Sequence, residues 1–379
     1  MSESAPVRID VPAPSRARQG RRVPPRLMLA ALLFCAVEFL IFRSGFYVRF
    51  LEPDSTAGSL EAVLRNGEAR YRPGTKRVLA LGDSRMALLP RVADGLAPRS
   101  GYWFDRISVA GTHPRCWYYM LREIDPHADK YSAIVIPMDS YEDEDWEDLA
   151  DAEVDIHYLV PLLRVTDAFD FSLSFESWSL RRMAFEDALF KGLAYKRDLW
   201  AFWNDPRGRM FRVNWKRRYG AQADYNFIGP QNTMEGLEVD WNARQITRYP
   251  PSATPQIRKM LDDELLRPAG QYTGRRTAYL RQWLGRIAQR YRGSRTRLIF
   301  FRLPRGPVVR PYTPYAPTSA VREIAARGEG ILIDEHRFDE LERPALFHDA
   351  VHLNEAGCEQ FTAILVQEVA KILGGGPAN

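Results

Sequence analysis

Apolar residues in this chain fall into two patterns. In one they form short, nearly unbroken runs: VLAL at 78–81, AIVIPM at 133–138, LIFFRL at 298–303 and GILID at 330–334, with WFDRISVA at 103–110 more mixed. In the other they recur every three or four residues, as across 60–66, 279–291 and 359–373. Short apolar runs bounded by Gly, Pro and polar residues read as buried strands, and the longer recurrences as amphipathic helices. Strands alternating with helices predict an α/β fold, a parallel sheet covered on both faces. In such sheets ligands bind beyond the carboxyl ends of the strands. Ser84, Gly111, Asp139 and the segment 349–352 all fall at that edge.

The runs at 133–138 and 298–303 are too far apart for a single loop, so residues 140–295 read as a largely helical insertion shaping the cleft. The acidic stretch 139–155, DSYEDEDWEDLADAEVD, fits no calcium-loop spacing and reads as a solvated loop. The stretch 195–219 is basic and aromatic, with Trp200, Trp203 and Trp215 set among Arg and Lys. That composition suits stacking on sugars or bases, contact with lipid headgroups, or a core with snorkelling basic neighbours.

The most apolar run is 27–42, LMLAALLFCAVEFLIF, interrupted by Glu38. It is short of the roughly 20 residues that span a bilayer, and residues 46–51 would extend it into the interface. No small-residue cleavage site follows, so it reads as an uncleaved signal anchor. Arg8, Arg16, Arg18, Arg21, Arg22 and Arg26 precede it, against only Glu3 and Asp10. That bias keeps the tail in the cytoplasm and sends the rest of the chain outward, to a periplasmic or extracellular position on a bacterial inner membrane. The expected organisation is a disordered basic tail (1–26), an anchor helix (27–50), a linker (51–75) and one domain (76–379).

With 45% hydrophobic and 27% charged residues, the 379-residue chain is globular in composition. Its net charge of +5 arises largely in the tail, so it does not point to nucleic acid. Of the three cysteines, Cys35 lies in the apolar run. Cys116 and Cys358 follow motifs that converge on one cleft, so they are expected near each other, either bridged or as two buried thiols.

The candidate chemistry begins at 76–89, KRVLALGDSRMALL. A strand breaks at Gly82 and resumes as a helix-like segment, 86–89, which sets Ser84 on a sharp turn at a helix mouth. A serine there exposes its hydroxyl and aims its own N–H at whatever it attacks; alternatively Asp83 or Ser84 only caps the helix. Near the other end, 347–357 reads FHDAVHLNEAG, with Asp349 three residues before His352. A nucleophilic serine needs a base, and a carboxylate to orient that base.

GDS early and DxxHLNxxG late resemble the SGNH (GDSL-type) serine hydrolase family. The resemblance implies a three-layer α/β/α, flavodoxin-like domain with Ser84 as nucleophile, His352 as base and Asp349 as its partner. It assigns the oxyanion hole to the Ser84 N–H and to Gly111 in VAGTH. Where the family carries an asparagine after the third strand, this chain has Asp139 and then Ser140. An ionised Asp139 would repel an oxyanion, so Ser140 or a backbone N–H would substitute. Asp83, Asp139 and His113 would line the cleft. The other histidines read as structural, no set has metal-ligand spacing, and no cofactor is expected.

The layout resembles the membrane-anchored D-alanyl transfer proteins of teichoic-acid D-alanylation and the SGNH proteins of polysaccharide O-acetylation. It implies a serine acyltransferase or esterase acting on O-acyl groups of envelope or exported polysaccharide. Its partners would be an acylated glycan or acyl carrier and a membrane O-acyltransferase. A general extracellular carboxylesterase or lipase is the alternative of the same class. A non-catalytic scaffold binding glycan or a membrane acyltransferase is the alternative of another class.

Overall fold

The computed structural model describes residues 24–142, 149–219, 225, 227, 233–266, 275–308 and 319–374. The basic tail before residue 24 and the middle of the acidic stretch lie outside the described residues.

Five strands form one parallel sheet: β1 (Arg77–Gly82), β2 (Trp103–Ser108), β3 (Ala133–Met138), β6 (Arg297–Arg302) and β7 (Ile331–Leu332), in the order β2-β1-β3-β6-β7. A separate antiparallel hairpin, β4 (Glu238–Asp240) with β5 (Gln245–Arg248), belongs to the insertion. The helices are α1 (Pro25–Val37), α2 (Thr56–Arg70), α3 (Pro90–Ser100), α4 (Pro114–Ile124), α5 (Leu149–Leu159), α6 (Ala168–Leu173), α7 (Trp178–Leu189) and α8 (Lys191–Ala194). They continue with α9 (Lys196–Asn204), α10 (Pro206–Tyr219), α11 (Pro255–Leu266), α12 (Arg275–Tyr291), α13 (Ala320–Ala326) and α14 (Glu355–Ile372).

Each sheet face has its own core, as strand alternation requires. In β1, Leu79 and Leu81 face α2, α4, α5 and α12, whereas Val78 and Ala80 face α3, α11 and α14. The chain passes from β1 to β2 on one side and then to β3 on the other. The carboxyl ends of β1 and β3 therefore form the topological switch point where doubly wound sheets open a crevice.

Four expectations need correction. The described ends of the acidic stretch are not a solvated loop: Tyr141, Glu142 and Asp155 are buried, and Leu149–Leu159 is helical. Residues 86–89 are not helical: Met86, Ala87, Leu88 and Leu89 are all buried, which one helix stripe cannot achieve. They run extended beneath α14, where the Leu89 N–H donates to Thr362 Oγ1 at 2.9 Å, and α3 begins only at Pro90. Ser84 therefore has no helix dipole behind it. The apolar helix, expected to reach residue 50, ends at Arg43 after a wider π-turn, Glu38–Arg43. Gly45 then reverses the chain (φ +77°), and Tyr47 and Leu51 fold back into a small core with Phe42, Val160 and Tyr195. Cys116 and Cys358 carry free thiols in the two opposite cores, so they are not neighbours.

Among the described residues the insertion is largely helical, as expected, with the β4–β5 hairpin as an exception, and it is fastened to the apolar helix and the segment after it. Glu38, the odd charge in the apolar run, is buried and accepts the Gly192 N–H at 3.0 Å, while Arg43 donates to the carbonyls of Ala188 and Leu189. Arg209, fully buried, binds Glu52 Oε2 and Asp198 Oδ1, each at 2.9 Å.

Candidate active site

Ser84 leaves β1 on a turn that Asp83 shapes. The Asp83 carboxylate accepts the Arg85 backbone N–H at 2.8 Å, and its carbonyl accepts the Met86 N–H at 3.2 Å. An aspartate that captures the N–H two residues on makes such turns locally stable. Facing Ser84 is the loop before α14. Phe347 pairs with Leu353 across it, and the His348 N–H donates to the His352 carbonyl at 2.7 Å.

Inside that loop Asp349 Oδ1 accepts the backbone N–H groups of Val351 (2.9 Å) and His352 (2.8 Å). The carboxylate is thereby fixed, with Oδ2 2.9 Å from His352 Nδ1. His352 Nε2 lies 3.0 Å from Ser84 Oγ. Three side chains predicted from two distant motifs thus form one continuous hydrogen-bonded relay. Burial pushes the Asp349 carboxyl upward, but the His352 ring and the two backbone N–H groups outweigh it and hold it below the usual carboxylate range. It stays ionised at neutral pH, which favours the tautomer with the proton on Nδ1 and leaves Nε2 to accept from the serine.

Two supports for this relay were not legible in the sequence. Gly306 has φ +115°, and a Cβ there would lie 2.2 Å from the Ala350 carbonyl oxygen. The chain after β6 therefore packs its backbone directly against the Asp349–His352 loop, which only glycine permits. Phe227, from the insertion, stacks on the His352 ring with centroids 3.5 Å apart and planes 9° from parallel. It covers one face of the imidazole and holds the ring in its plane.

The other expected cleft residues divide. Asp139, at the end of β3, does not face the cleft as a bare carboxylate. Arg85 Nη1 lies 2.6 Å from Asp139 Oδ1, and Arg85 Nη2 lies 2.6 Å from Asp83 Oδ2. Burial works against the Arg85 charge, but Asp139 and Asp83 together more than offset it and raise its pKa. One cation thus bridges both sides of the switch point. A hint existed, since two carboxylates at neighbouring parallel strand ends need a counter-ion, and Arg85 stands next to the serine.

Ser140 is buried, with its hydroxyl oxygen accepting the Glu142 N–H at 2.9 Å, and like Ser84 and His352 it does not line the recess next to Arg85. Gly111 forms the exposed left-handed turn (φ +69°) after β2, next to the Ser84 turn because Gly82 pairs with Ser108. The recess is lined by Asp83, Arg85, His113, Trp117, Asp139 and Tyr279, among others. His113 Nδ1 is 3.6 Å from Asp155 of α5, a buried carboxylate that also accepts from the Cys116 thiol at 3.1 Å. Burial pushes the Cys358 thiol up to about 12 and raises that of Cys116 as well, so both are unreactive at neutral pH. Among the described residues no group of three or more His, Cys, Asp or Glu side chains is placed to hold a metal ion.

Fold and geometry together define a class: a parallel α/β protein with a serine–histidine–aspartate relay at its switch point. No protein-family model and no curated protein matches the chain.

Proposed function

We propose that this chain is a membrane-anchored, outward-facing serine acyltransferase or esterase of the SGNH type, acting on O-acyl groups of envelope or exported polysaccharide. The observation that carries the reading is the relay itself, Ser84 Oγ to His352 Nε2 at 3.0 Å and His352 Nδ1 to Asp349 Oδ2 at 2.9 Å. His352 takes the Ser84 proton as Oγ adds to an ester carbonyl. The tetrahedral oxyanion is met by the Ser84 and Gly111 N–H groups, with Arg85 neutralising the Asp139 charge that would otherwise oppose it. Collapse breaks the ester C–O bond, and the imidazolium returns the proton to the departing alcohol. A sugar hydroxyl or water, deprotonated by the same imidazole, then attacks the acyl-serine and releases Ser84.

The α1 helix and its continuation, Pro25–Arg43, are long and apolar enough to cross a bilayer. The arginines ahead of it support an outward-facing domain. That address, with the resemblance at both motifs, favours envelope glycan over a soluble ester. One observation favours the general carboxylesterase as a second reading. Because Arg85 pairs with Asp139, charge does not disfavour plain hydrolysis, and the acceptor alone separates the two.

A fluorophosphonate probe on the full chain tests the relay. Wild type should label at Ser84, Ser84→Ala should not label, and His352→Ala should label far more slowly. Unchanged labelling of Ser84→Ala, or none in the folded wild type, would overturn the catalytic reading in favour of a scaffold.

A further inference from the structure

The basic aromatic stretch plays no part in the relay. In α9, Leu199 and Phe202 pack inward and Asp198 binds Tyr47 and Arg209. Trp200 and Trp203, three residues apart on the other side, are 68% and 79% exposed. In α10, Arg209 and Val213 are buried, while Phe211 and Trp215, one turn apart, are 69% and 53% exposed. Exposed Arg197, Arg207 and Arg218 flank these rings. Large aromatics beside arginine on one face, over an anchored opposite face, is the composition of a helix that lies in a bilayer interface.

Position supports the same occupant. Phe34 of α1 touches Phe190 at 5.6 Å, and Glu38 and Arg43 bind the corner between α7 and α8, so this part of the insertion lies alongside the apolar helix. From there exposed Leu40 and Phe46 lead to Phe50, which packs on Phe202 of α9 at 5.9 Å. The helices that carry the exposed rings therefore pack beside the end of the apolar helix. A nucleic acid or a soluble partner gives no reason for that placement; a lipid surface does.

We propose that the outer face of α9 and α10 is a docking surface for an anionic bilayer, seated among the headgroups with its tryptophans at the acyl boundary and its arginines on lipid phosphates. This rests on the reading of Pro25–Arg43 as a spanning helix, and it makes the insertion the element that sets the height and tilt of the cleft above the membrane.

The full chain reconstituted into phosphatidylglycerol vesicles carrying a shallow nitroxide lipid tests it. Nitroxide should quench the tryptophan emission, and the variant with Trp200→Phe, Trp203→Phe and Trp215→Phe should lose the larger part of that quenching. Phosphatidylcholine vesicles or high salt should weaken it. If the triple variant is quenched as fully as wild type, or if aqueous iodide rather than nitroxide reaches these rings, the docking surface is wrong and the anchor stands. Such a result would point to a protein partner on this face. If alkaline carbonate strips the chain from the vesicles, the spanning reading fails and the docking proposal with it.

Discussion

The cleft and the seam between insertion and apolar helix are held together by opposite means. At the cleft each functional side chain is set by its immediate neighbours. Asp83 fixes the turn around Ser84, and Asp349 accepts N–H groups from two and three residues on. The contacts that cross the chain are Ser84 to His352, Phe227 on His352, Arg85 to Asp139 and the Gly306 backbone against Ala350. At the seam the reverse holds. Arg209 reaches back to Glu52 and to the Phe50 carbonyl, Arg212 to Glu52, and Gly192 to Glu38. A local motif on a rigid strand end keeps reacting groups in register, whereas buried ion pairs fix how one body sits on another.

The largest test of that contrast is Arg209→Ala. It leaves Glu52 and Asp198 with an unfilled buried partner and should lower unfolding stability by about 3 kcal/mol. The fraction still folded should label at Ser84 at nearly the wild-type rate; a loss of labelling that exceeds the loss of folded protein would show that seam and cleft are not independent. Gly306→Ala acts from the other side. Its Cβ cannot coexist with the Ala350 carbonyl, so the Asp349–His352 loop must shift. Labelling should slow by roughly 100-fold, as about 1 Å of misplacement does, with insertion and apolar helix still docked. A near-normal rate would mean that this loop does not depend on the chain after β6.

Arg85→Gln leaves the Asp83 and Asp139 carboxylates without their shared cation and should slow acylation about tenfold, near 1.4 kcal/mol. Asp139→Asn in the same chain should recover part of that loss. A double variant no faster than Arg85→Gln would assign the arginine a role other than neutralising Asp139.

The smallest effect belongs to the insertion. Burial pushes the Asp187 carboxyl up to about 6, with Glu186 adding to it and His157 and Lys196 opposing. A folded-state pKa above the unfolded value means that the native state holds the proton more tightly. That stabilisation is complete below about pH 4 and is lost as pH rises through 6. Relative to Asp187→Asn, wild type should lose stability between pH 4 and 6.5, and at pH 7 the variant should be more stable by about 1 kcal/mol. Parallel curves would remove Asp187 from the account, and a change in Ser84 labelling would couple the two regions after all.

Much of the fold and of the relay could be read from residue order, because the forces involved are short-ranged. The runs at 78–81, 133–138 and 298–303 are strands within a residue or so, since near-continuous apolar sequence has no other stable use in a covered parallel sheet. Ser84, Asp349 and His352 were legible because they stand in two short motifs, GDS and DxxHLNxxG. What failed depended on packing. Residues 86–89 looked helical, but all four are buried beneath α14, and only the tertiary structure sets that demand. Phe227 on His352, the backbone of Gly306 against Ala350, and Arg85 between two strand ends leave no local pattern. The same holds for Glu38, a flaw in an apolar run until the insertion supplies the Gly192 N–H. Sequence by itself determined the strands of the parallel sheet and pointed to Ser84, Asp349 and His352, because apolar runs and short motifs act along the chain. Which charges meet, which ring covers the histidine and where the apolar helix ends were decided only in three dimensions, because those energies depend on burial among residues brought together by the fold.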